Sequence, residues 1–287
     1  MILAIASGKG GTGKTTVAVS LARVAAEDRS RDVRLLDCDV EGPNADLSLR
    51  PRISESRRTG QLVPVVNMES CSLCGRCAEV CAYGAISVLP DRLLILNELC
   101  MGCGSCVWQC PEGALDEELL RLGELREGAA GRVSFAQGRL DVGRARATPV
   151  IRELKKWQLR PDREGWYILD APPGSACATM EALRGADAVL LVAEPTPLGL
   201  HDLALLVEGV REGLDIPMGV IINRSRGRDE KLEEFCLREK LPILGRIAFS
   251  REIASAGAEG KPLDEILPSI RGDWHRLLMA IETGEAP

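Results

Sequence analysis

The sequence of 287 residues has no excess of positive charge, no long apolar run and no segment typical of a signal peptide at its start. A formal net charge of −6 excludes a general electrostatic attraction to nucleic acid or to anionic lipid. No stretch of about 18 apolar residues occurs, so we predict no membrane-spanning segment. Because the first residues resemble a buried strand, we expect a cytoplasmic protein.

The composition is that of an ordered globular protein with many cysteines. Hydrophobic residues make up 45% and charged residues 27% of the chain, and a chain of this length can bury a substantial core. Eleven cysteines in a cytoplasmic protein predict metal or redox chemistry, whereas in a small secreted protein they would predict disulfides. The only basic cluster, within residues 49–60, is interpreted as a solvated linker.

Six apolar runs of strand length alternate with helical stretches along the chain. Continuous runs of this kind are typical of parallel strands that are covered on both faces. We therefore predict the α/β class, with a doubly wound, mostly parallel sheet. The runs are ILAIAS (2–7), VRLLDCD (33–39), WYILDAP (166–172), AVLLVAE (188–194), MGVIINR (218–224) and ILGRIAF (243–249).

The segment from residue 60 to residue 116 breaks this alternation. It contains two similar units, CSLCGRCAEVCAYGAI and CMGCGSCVWQCPEGAL, which repeat with a spacing of 29 residues. We interpret this segment as an inserted module with an internal repeat. The predicted domains are an α/β domain made of residues 1–59 and 117–287, and an inserted domain made of residues 60–116.

The segment GKGGTGKT, Gly8 to Thr15, fits the phosphate-binding pattern GxxxxGK[ST] between a predicted strand and a predicted helix. Glycines let backbone N–H groups approach a phosphate closely, and the helix N-terminus adds partial positive charge. Lys14 is expected to reach the β- and γ-phosphates, and Thr15 to bind Mg²⁺. The predicted nucleotide-binding residues are Gly8, Lys9, Gly10, Gly11, Thr12, Gly13, Lys14, Thr15, Thr16 and Asn223.

The loop with its second lysine resembles the MinD, ParA and nitrogenase iron protein family of P-loop ATPases, and so do LLDCDVEGPN, YILDAPPG, AEPTPLGLHDL and VIINRS. The resemblance implies that Lys9 reaches a partner's nucleotide in an ATP-sandwich dimer and that Asp39 orients the attacking water. It also implies that Asp170 supports the Mg²⁺ shell and that Asn223 contacts adenine. The candidate catalytic residues are Lys9, Lys14 and Asp39, and the candidate Mg²⁺ residues are Thr15, Asp39 and Asp170.

Other interpretations of these residues stay open. A lysine in a glycine-rich loop is usually solvated, and Asp39 is also suited to capping the GPN turn that follows it. In the late loop the family often has a proline and an aspartate, whereas this chain has Ala248 and Ser250. The resemblance implies ATP as the nucleotide, and this departure leaves GTP open as the alternative.

Eight of the cysteines form two copies of CxxCxxCxxxC, and Pro111 follows the second copy. In such runs three cysteines ligate one iron-sulfur cluster and the fourth ligates the other cluster. The module resembles a two-cluster bacterial ferredoxin, from which it departs at Ala82, where proline is common. The predicted ligands are Cys71, Cys74, Cys77 and Cys110 for the first [4Fe-4S] cluster, and Cys81, Cys100, Cys103 and Cys106 for the second.

Zinc is the alternative occupant, because tetrahedral four-cysteine sites also use CxxC pairs. Such zinc sites do not need the third cysteine of each copy, which favours iron and sulfide. Of the remaining cysteines, Cys38 and Cys236 are predicted to be core residues. Cys177 begins a predicted helix, where a thiolate would be stabilised, although helix packing explains a cysteine there equally well.

Over its whole length the chain resembles MinD-like P-loop ATPases with an inserted ferredoxin domain. The main hypothesis is a slow, partner-stimulated ATPase that couples an ATP-dependent dimer switch to electron transfer from its clusters to a protein. The expected cofactors are two [4Fe-4S] clusters, ATP and Mg²⁺. The expected partners are a second subunit, identical or similar, and a protein electron donor or acceptor, without nucleic acid.

Two alternatives remain. The first is a carrier of iron-sulfur or metal clusters; relatives of that kind use a late CxxC pair, and no CxxC follows Cys110. The second is a MinD- or ParA-like spatial organiser that acts on membrane or DNA. The C-terminal segment places Trp274, Leu277, Leu278 and Ile281 on one helical face. Because this segment is poor in lysine, we expect the helix to pack on the core and not to anchor in a membrane.

Overall fold

The computed structural model describes residues 1–160 and 164–285. The chain divides into two compact units. Unit 1 comprises Met1–Arg57 and Glu124–Pro287, and unit 2 comprises Arg58–Gly123. The glycine-rich loop belongs to unit 1, and both cysteine motifs belong to unit 2.

The described residues form eleven strands and eleven helices. The strands are β1 (Ile2–Ala6), β2 (Asp32–Asp37), β3 (Arg52–Val66), β4 (Ile86–Val88), β5 (Leu93–Ile95), β6 (Leu115–Ala130), β7 (Val133–Leu140), β8 (Gly165–Asp170), β9 (Ala188–Ala193), β10 (Met218–Ser225) and β11 (Ile243–Ala248). The helices are α1 (Lys14–Ala25), α2 (Ala45–Leu49), α3 (Arg76–Glu79), α4 (Ser105–Trp108), α5 (Ala147–Gln158), α6 (Cys177–Leu183), α7 (Pro197–Gly213), α8 (Glu230–Arg238), α9 (Arg251–Ala258), α10 (Leu263–Ile266) and α11 (Ile270–Thr283).

The main sheet has the strand order β11-β10-β9-β1-β8-β2-β7-β6-β3. Neighbouring strands from β11 to β7 run parallel to each other. Strand β9 is buried along its whole length, as expected for a parallel strand covered on both faces. All six predicted apolar runs lie on strands of this parallel part. The predicted α/β class with a doubly wound, mostly parallel sheet is confirmed.

The last helix, α11, packs on the core of unit 1. Trp274 is 2% exposed, and its indole Nε1 donates a 2.9 Å hydrogen bond to the hydroxyl of Ser20 in α1. Leu277, Leu278 and Ile281 are buried on the same face. The expected packing of this helix is confirmed, because its apolar face is already covered. Among the described residues, no helix combines the length and apolarity needed to cross a bilayer.

The basic segment that we interpreted as a solvated linker is part of a strand. Residues Arg52–Val66 form β3, which is hydrogen-bonded to β6 at one edge of the sheet. The first residues of β3 are exposed, and the Arg57 guanidinium lies 4.3 Å from the centroid of the Trp157 ring. The linker interpretation is therefore wrong, because pairing with a strand far along the chain leaves no signal in local charge and periodicity.

Unit 2 repeats its local structure as well as its sequence. Helices α3 and α4 have four residues each, and they begin 29 positions apart, as the cysteine motifs do. Gly75 and Gly104 precede the two helices with φ values of 85° and 71°, and Leu73 and Gly102 also have positive φ, 56° and 63°. A positive φ is unfavourable for leucine, so the same turn is formed in both copies even where the residue is not glycine.

Candidate nucleotide site and cysteine sites

The glycine-rich loop connects β1 to α1, and Lys14 is the first residue of that helix. Gly13, the N-cap, has a φ of 95°, a conformation that residues with a Cβ rarely adopt. At Gly8, a Cβ would come within 2.3 Å of the Asp202 backbone in α7. Glycine is therefore required at Gly13 for the turn and at Gly8 for the close approach of the loop to α7.

A cleft of about 650 Å³ opens beside this loop in unit 1. Its lining includes Ala248 and Ser250, the positions at which the late loop departs from the resembled family. Most of the predicted nucleotide-site residues are brought together here, but Gly8, Lys9, Thr12 and Asp170 do not line the cleft. The predicted residues that line it are Gly10, Gly11, Gly13, Lys14, Thr15, Thr16, Asp39 and Asn223.

In the late loop, a serine caps a helix. The Ser250 hydroxyl accepts hydrogen bonds from the backbone N–H groups of Glu252 and Ile253, at 3.1 and 3.3 Å, and so begins α9. Beside it, the Arg226 guanidinium lies 4.0 Å from the centroid of the Phe249 ring. The serine thus has a local structural role, and selectivity for the nucleotide base stays a prediction.

Asp170 is the last residue of β8 and is fully buried. No hydrogen bond of normal geometry from the described residues reaches either of its carboxylate oxygens. Burial raises the pKa of Asp170 to about 6, while the nearby Lys14 ammonium and Thr15 hydroxyl lower it. A buried carboxylate without donors is costly, and its oxygens are the type of donor that Mg²⁺ prefers. The site therefore fits the predicted ion.

Asp39 lines the cleft and is partly exposed. Burial raises its pKa, while the Lys14 ammonium and the backbone N–H of Gly42 lower it. A carboxylate beside a phosphate-binding lysine can accept a hydrogen bond from a water molecule and orient it. The position of Asp39 suits that role, which stays a prediction.

A carboxylate for which the sequence indicated no role shapes the loop that carries Asp39. Asp37 is fully buried at the end of β2 and accepts hydrogen bonds from the backbone N–H groups of Asp39, Asn44 and Ala45, at 3.1, 2.9 and 3.0 Å. Burial raises the pKa of Asp37 well above its usual value, and the charge of Asp170, its register partner on β8, raises it further. Asp37 therefore holds the loop that carries Asp39.

Lys9 is paired within its own chain and does not line the cleft. Its Nζ atom lies 3.0 Å from the carboxylate of Glu194, and that carboxylate also binds the Arg224 guanidinium. Glu194 is buried directly after β9. Sequence reasoning missed Glu194, although an acidic residue at the carboxyl end of a buried parallel strand is a usable signal for a functional position.

Asn223, near the end of β10, is hydrogen-bonded to the glycine-rich loop. Its side-chain Nδ2 donates a 2.6 Å hydrogen bond to the carbonyl oxygen of Thr12. The same Nδ2 would lie 2.5 Å from a Cβ at Gly13, so the amide occupies space that only glycine leaves open. Asn223 also lines the cleft, and its contact with adenine stays a prediction.

The eight motif cysteines line two cavities inside unit 2. Each cavity takes three cysteines from one copy of the motif and the fourth cysteine from the other copy. The structure thus brings together the members of each predicted group, while their role as cluster ligands stays a prediction. We call the cavities site 1, lined by Cys71, Cys74, Cys77 and Cys110, and site 2, lined by Cys81, Cys100, Cys103 and Cys106.

Backbone N–H groups point at sulfur atoms in both sites. Ala85 donates to the Sγ of Cys81, and its counterpart 29 positions later, Ala114, donates to the Sγ of Cys110, both at 3.3 Å. Hydrogen bonds to sulfur are a feature that tunes iron-sulfur sites. The two copies therefore place the same contact at the fourth cysteine of each motif.

All eleven cysteines lie in the described part of the chain, and none of them forms a disulfide. Within residues 1–160 and 164–285, no three Cys, His, Asp or Glu side chains are grouped so that they could hold a single metal ion. Cys38 and Cys236 are buried, as predicted for core residues, and burial raises the pKa of Cys236 to about 11. Cys177 is exposed at the start of α6, so core packing does not explain it.

The strand-loop-helix context of the phosphate loop and its cleft agree with a known family. The family model of the CobQ/CobB/MinD/ParA nucleotide binding domain matches residues 3–263. The chain belongs to this family. Its fold is similar to the septum site-determining protein MinD of Pyrococcus horikoshii, a structure complexed with Mg-ADP, with 20% sequence identity and a TM-score of 0.57. The similarity covers 96% of this chain and 93% of that MinD.

Sequence relatives of this CobQ/CobB/MinD/ParA family member differ in how much of the chain they share. An uncharacterised protein of Methanocaldococcus jannaschii is 30% identical over 239 residues, which are 81% of this chain and 83% of that protein. An iron-sulfur cluster carrier protein of Synechocystis sp. is 56% identical over 48 residues, which are 17% of this chain and 13% of the carrier. Family membership accounts for nucleotide binding, and the carrier shares only a short segment.

Proposed function

We propose that this protein hydrolyses MgATP in unit 1, carries two [4Fe-4S] clusters in unit 2, and couples its nucleotide state to electron transfer from the clusters to a protein partner. The observation that carries the proposal is the division of eight cysteines between two cavities, four in each. Four thiolates are the usual complement of one such cluster. Membership of a nucleotide-binding family supports the ATP part.

Site 1 and site 2 each hold one cluster in this proposal, within a ferredoxin-like domain of residues 60–116. The clusters supply one-electron carriers whose potentials depend on hydrogen bonds to sulfur and on exposure to solvent. The chain contributes the eight sulfur ligands, and the N–H groups of Ala85 and Ala114 donate hydrogen bonds to the sulfur atoms of Cys81 and Cys110. The matched geometry of the two copies supports two clusters of one kind.

In unit 1, Lys14 and the N–H groups of the loop bind the β- and γ-phosphates. Thr15, Asp39 and Asp170 hold Mg²⁺, directly or through water, and Asp39 orients the attacking water. Mg²⁺ supplies neutralisation of the charge on the phosphates. The positions of Lys14, Thr15 and Asp39 along the cleft and the unpartnered oxygens of Asp170 support these roles. Hydrolysis is expected to be slow and stimulated by a partner.

Lys9 is proposed to act across a dimer of two identical or similar chains. In the single chain Glu194 holds Lys9, so ATP-dependent pairing must move the ammonium from Glu194 to the partner's nucleotide. We expect Lys9→Ala to keep ATP affinity within about threefold but to lose ATP-dependent dimers in sedimentation velocity, together with hydrolysis. The control is Lys156→Ala, an exposed lysine on α5. Normal dimers and turnover in Lys9→Ala would contradict this role.

Coupling between the two units has a measurable size. If ATP favours one redox state of a cluster by about 1.4 kcal/mol, the one-electron potential shifts by roughly 60 mV. Linkage then requires that reduction change the affinity for ATP by the same factor, about tenfold. The two measurements check each other.

The decisive experiment is an anaerobic redox titration with and without MgATP, preceded by analysis of iron, sulfide and zinc. We expect about eight iron atoms per chain and a shift of the potentials on addition of MgATP. Lys14→Ala, which cannot bind the phosphates, serves as the control without a shift. Zinc in place of iron would contradict the assignment of [4Fe-4S] clusters to sites 1 and 2. Cluster potentials that do not change on addition of MgATP, together with ATP turnover that does not depend on the redox state of the clusters, would contradict the proposed coupling.

A carrier of iron-sulfur clusters is the second candidate, favoured by the short similarity to the Synechocystis carrier. Against it, no CxxC pair follows Cys110, so a cluster shared between subunits has no evident ligands. Labelled iron decides between the two candidates. Quantitative transfer from the protein to an apo-ferredoxin favours the carrier, whereas retention of the label through many reduction cycles favours electron transfer.

A further inference from the structure

The internal repeat of unit 2 allows each residue at site 2 to be compared with its counterpart 29 positions away at site 1. Tyr83 and Met101 line site 2, and each is 53% exposed. Their counterparts are Glu112 and Ser72, which line site 1 and are also exposed. At these two matched positions the rim of site 2 is therefore apolar and accessible, while the rim of site 1 is polar.

Two residues near the cysteines of site 2 are also apolar and exposed where their counterparts are polar. Leu99, just before Cys100, is 46% exposed, and its counterpart is Ser70. Trp108, at the end of α4, is 91% exposed, and its counterpart is Glu79. Single exposed apolar residues need no explanation. In these four pairs the apolar residue lies on the side of site 2, whereas the pair of Glu117 at site 2 and its exposed counterpart Val88 differs in the opposite direction. Large residues such as Tyr, Trp and Met are enriched in protein interfaces.

The surroundings of this apolar rim are acidic. Unit 2 carries eight acidic and four basic side chains, a formal net charge of −4. Glu117 lines site 2 together with Tyr83 and Met101, and its neighbours Asp116 and Glu118 are exposed. An apolar contact surrounded by carboxylates complements an apolar patch surrounded by lysine and arginine.

We propose that Tyr83 and Met101, the apolar rim, dock a basic protein partner at site 2 and that electrons leave the protein there and not at site 1. This proposal rests on the proposed clusters. In each transfer one electron passes from the protein, reduced beforehand by dithionite, to an oxidised centre of the partner, such as a ferric haem that becomes ferrous. No atom is transferred.

The test exchanges the two rims. Tyr83→Glu with Met101→Ser gives site 2 the rim of site 1, and Glu112→Tyr with Ser72→Met is the mirror variant. The probe is cytochrome c, a small haem protein with a lysine-rich face. We expect the first variant to bind oxidised cytochrome c about tenfold more weakly in titration calorimetry and to reduce it about tenfold more slowly. Both variants should reduce hexaammineruthenium(III), a small ion, at the wild-type rate.

The charge introduced at position 83 makes the test sharper. A new carboxylate attracts a basic probe more strongly, so weaker binding must come from the lost apolar contact. Unchanged binding and rate in the site 2 variant overturn the proposal, and so does an equal loss in the mirror variant. A change in the protein's own oligomeric state in sedimentation velocity would assign the rim to contacts between copies of this chain, which also overturns it.

Iron and sulfide analysis of the wild type and both variants separates this proposal from the proposed function. If the site 2 variant has its full iron content and reduces cytochrome c at the wild-type rate, the proposed clusters stand and the proposed docking surface is refuted. Absence of iron removes the clusters and the electron transfer together. The calorimetric binding to oxidised cytochrome c, in which no electron moves, still reports whether the rim is a docking surface.

Discussion

The two units gather their candidate sites over very different lengths of chain. Around the cleft of unit 1, the key side chains extend from Lys14 to Asn223 in sequence and come from the start of α1, the loop after β2 and the end of β10. In unit 2, the eight cysteines all lie between residue 71 and residue 110. The first site exists only once the parallel sheet has formed, whereas the second depends on short turns and two four-residue helices.

This difference predicts how each site fails. A site built by a sheet has neighbours from many segments, so one substitution disturbs pKa values and loop positions at some distance. A site built from local turns is modular, so the loss of one ligand affects its own cavity and spares the cleft. The experiments below test that contrast.

Cys110→Ala should have the largest effect. Cys110 lines site 1, whereas the other three cysteines of its motif line site 2. The variant should therefore lose the cluster of site 1, which holds about half of the iron, and keep the cluster of site 2. Cys81→Ala should lose the electron paramagnetic resonance signal of the cluster in site 2 and keep that of site 1. Cys177→Ala, which changes an exposed cysteine outside both sites, is the matched control. Loss of the same signal in both motif variants contradicts the crossed arrangement.

Lys14→Ala should weaken binding of MgATP by about 100-fold, since a buried cation that contacts phosphate is worth about 3 kcal/mol. Lys14 is 6% exposed and is the first residue of α1. Fluorescent nucleotide titration measures the loss, with Lys156→Ala as the control. Iron content should stay at the wild-type level. Wild-type affinity in Lys14→Ala would show that the cleft is not the phosphate site.

Asp170→Asn should stabilise the nucleotide-free protein at high pH. Burial raises the pKa of Asp170 to about 6 in the folded state, so the folded state binds this proton more tightly than the unfolded state does. The wild type therefore loses stability as the pH rises from about 4 to about 6, and the loss is complete above that window. Removing the charge should raise the free energy of unfolding by about 3 kcal/mol at pH 8 and change little at pH 4.

Urea unfolding at pH 4, 6 and 8 in the presence of a chelator measures this difference between Asp170→Asn and the wild type. Asp91→Asn, an exposed position in unit 2, is the control and should show no pH-dependent gain. The same Asp170→Asn variant should lose Mg²⁺-dependent ATP turnover. A variant that is less stable than the wild type at pH 8 would refute the assignment of an unpartnered buried carboxylate.

Asn223→Ala should have the smallest effect. It removes the hydrogen bond from the amide to the Thr12 carbonyl, which is worth about 1 kcal/mol, so affinity for ATP should fall about fivefold. Asn67→Ala is the control, because it removes a turn hydrogen bond to Glu69 in unit 2 and should leave ATP affinity unchanged. If the two substitutions lowered the affinity for ATP equally, the contrast between the cleft of unit 1 and the locally built sites of unit 2 would be wrong.

Sequence reasoning was strongest where local chemistry restricts the residue type. The phosphate pattern from Gly8 to Thr15 needs glycine for backbone conformation and close approach, and the structure has both requirements at Gly13 and Gly8. The apolar runs located six strands because a strand buried on both faces must be apolar throughout. The long strand β3 escaped notice because its exposed half is stabilised by pairing with β6 and not by burial.

Roles that depend on distant partners were not visible in the sequence. Nothing local marks Asp37 as the acceptor of three loop N–H groups, and nothing local shows that Glu194 holds Lys9. Asn223 was identified by resemblance, yet its hydrogen bond to Thr12 required the structure. These contacts join segments that are separated by the length of whole strands and helices.

The sequence by itself determined the phosphate loop, the fold class and the grouping of the cysteines into two predicted sets. Those features depend on backbone conformation, hydrophobic periodicity and short spacings, which neighbouring residues fix. Only the tertiary structure decided that the Asp170 carboxylate is buried, that Lys9 pairs with Glu194, and that Tyr83 and Met101 are exposed at site 2 where Glu112 and Ser72 are exposed at site 1. Burial and exposure are properties of the packed chain, because they depend on what the rest of the molecule covers.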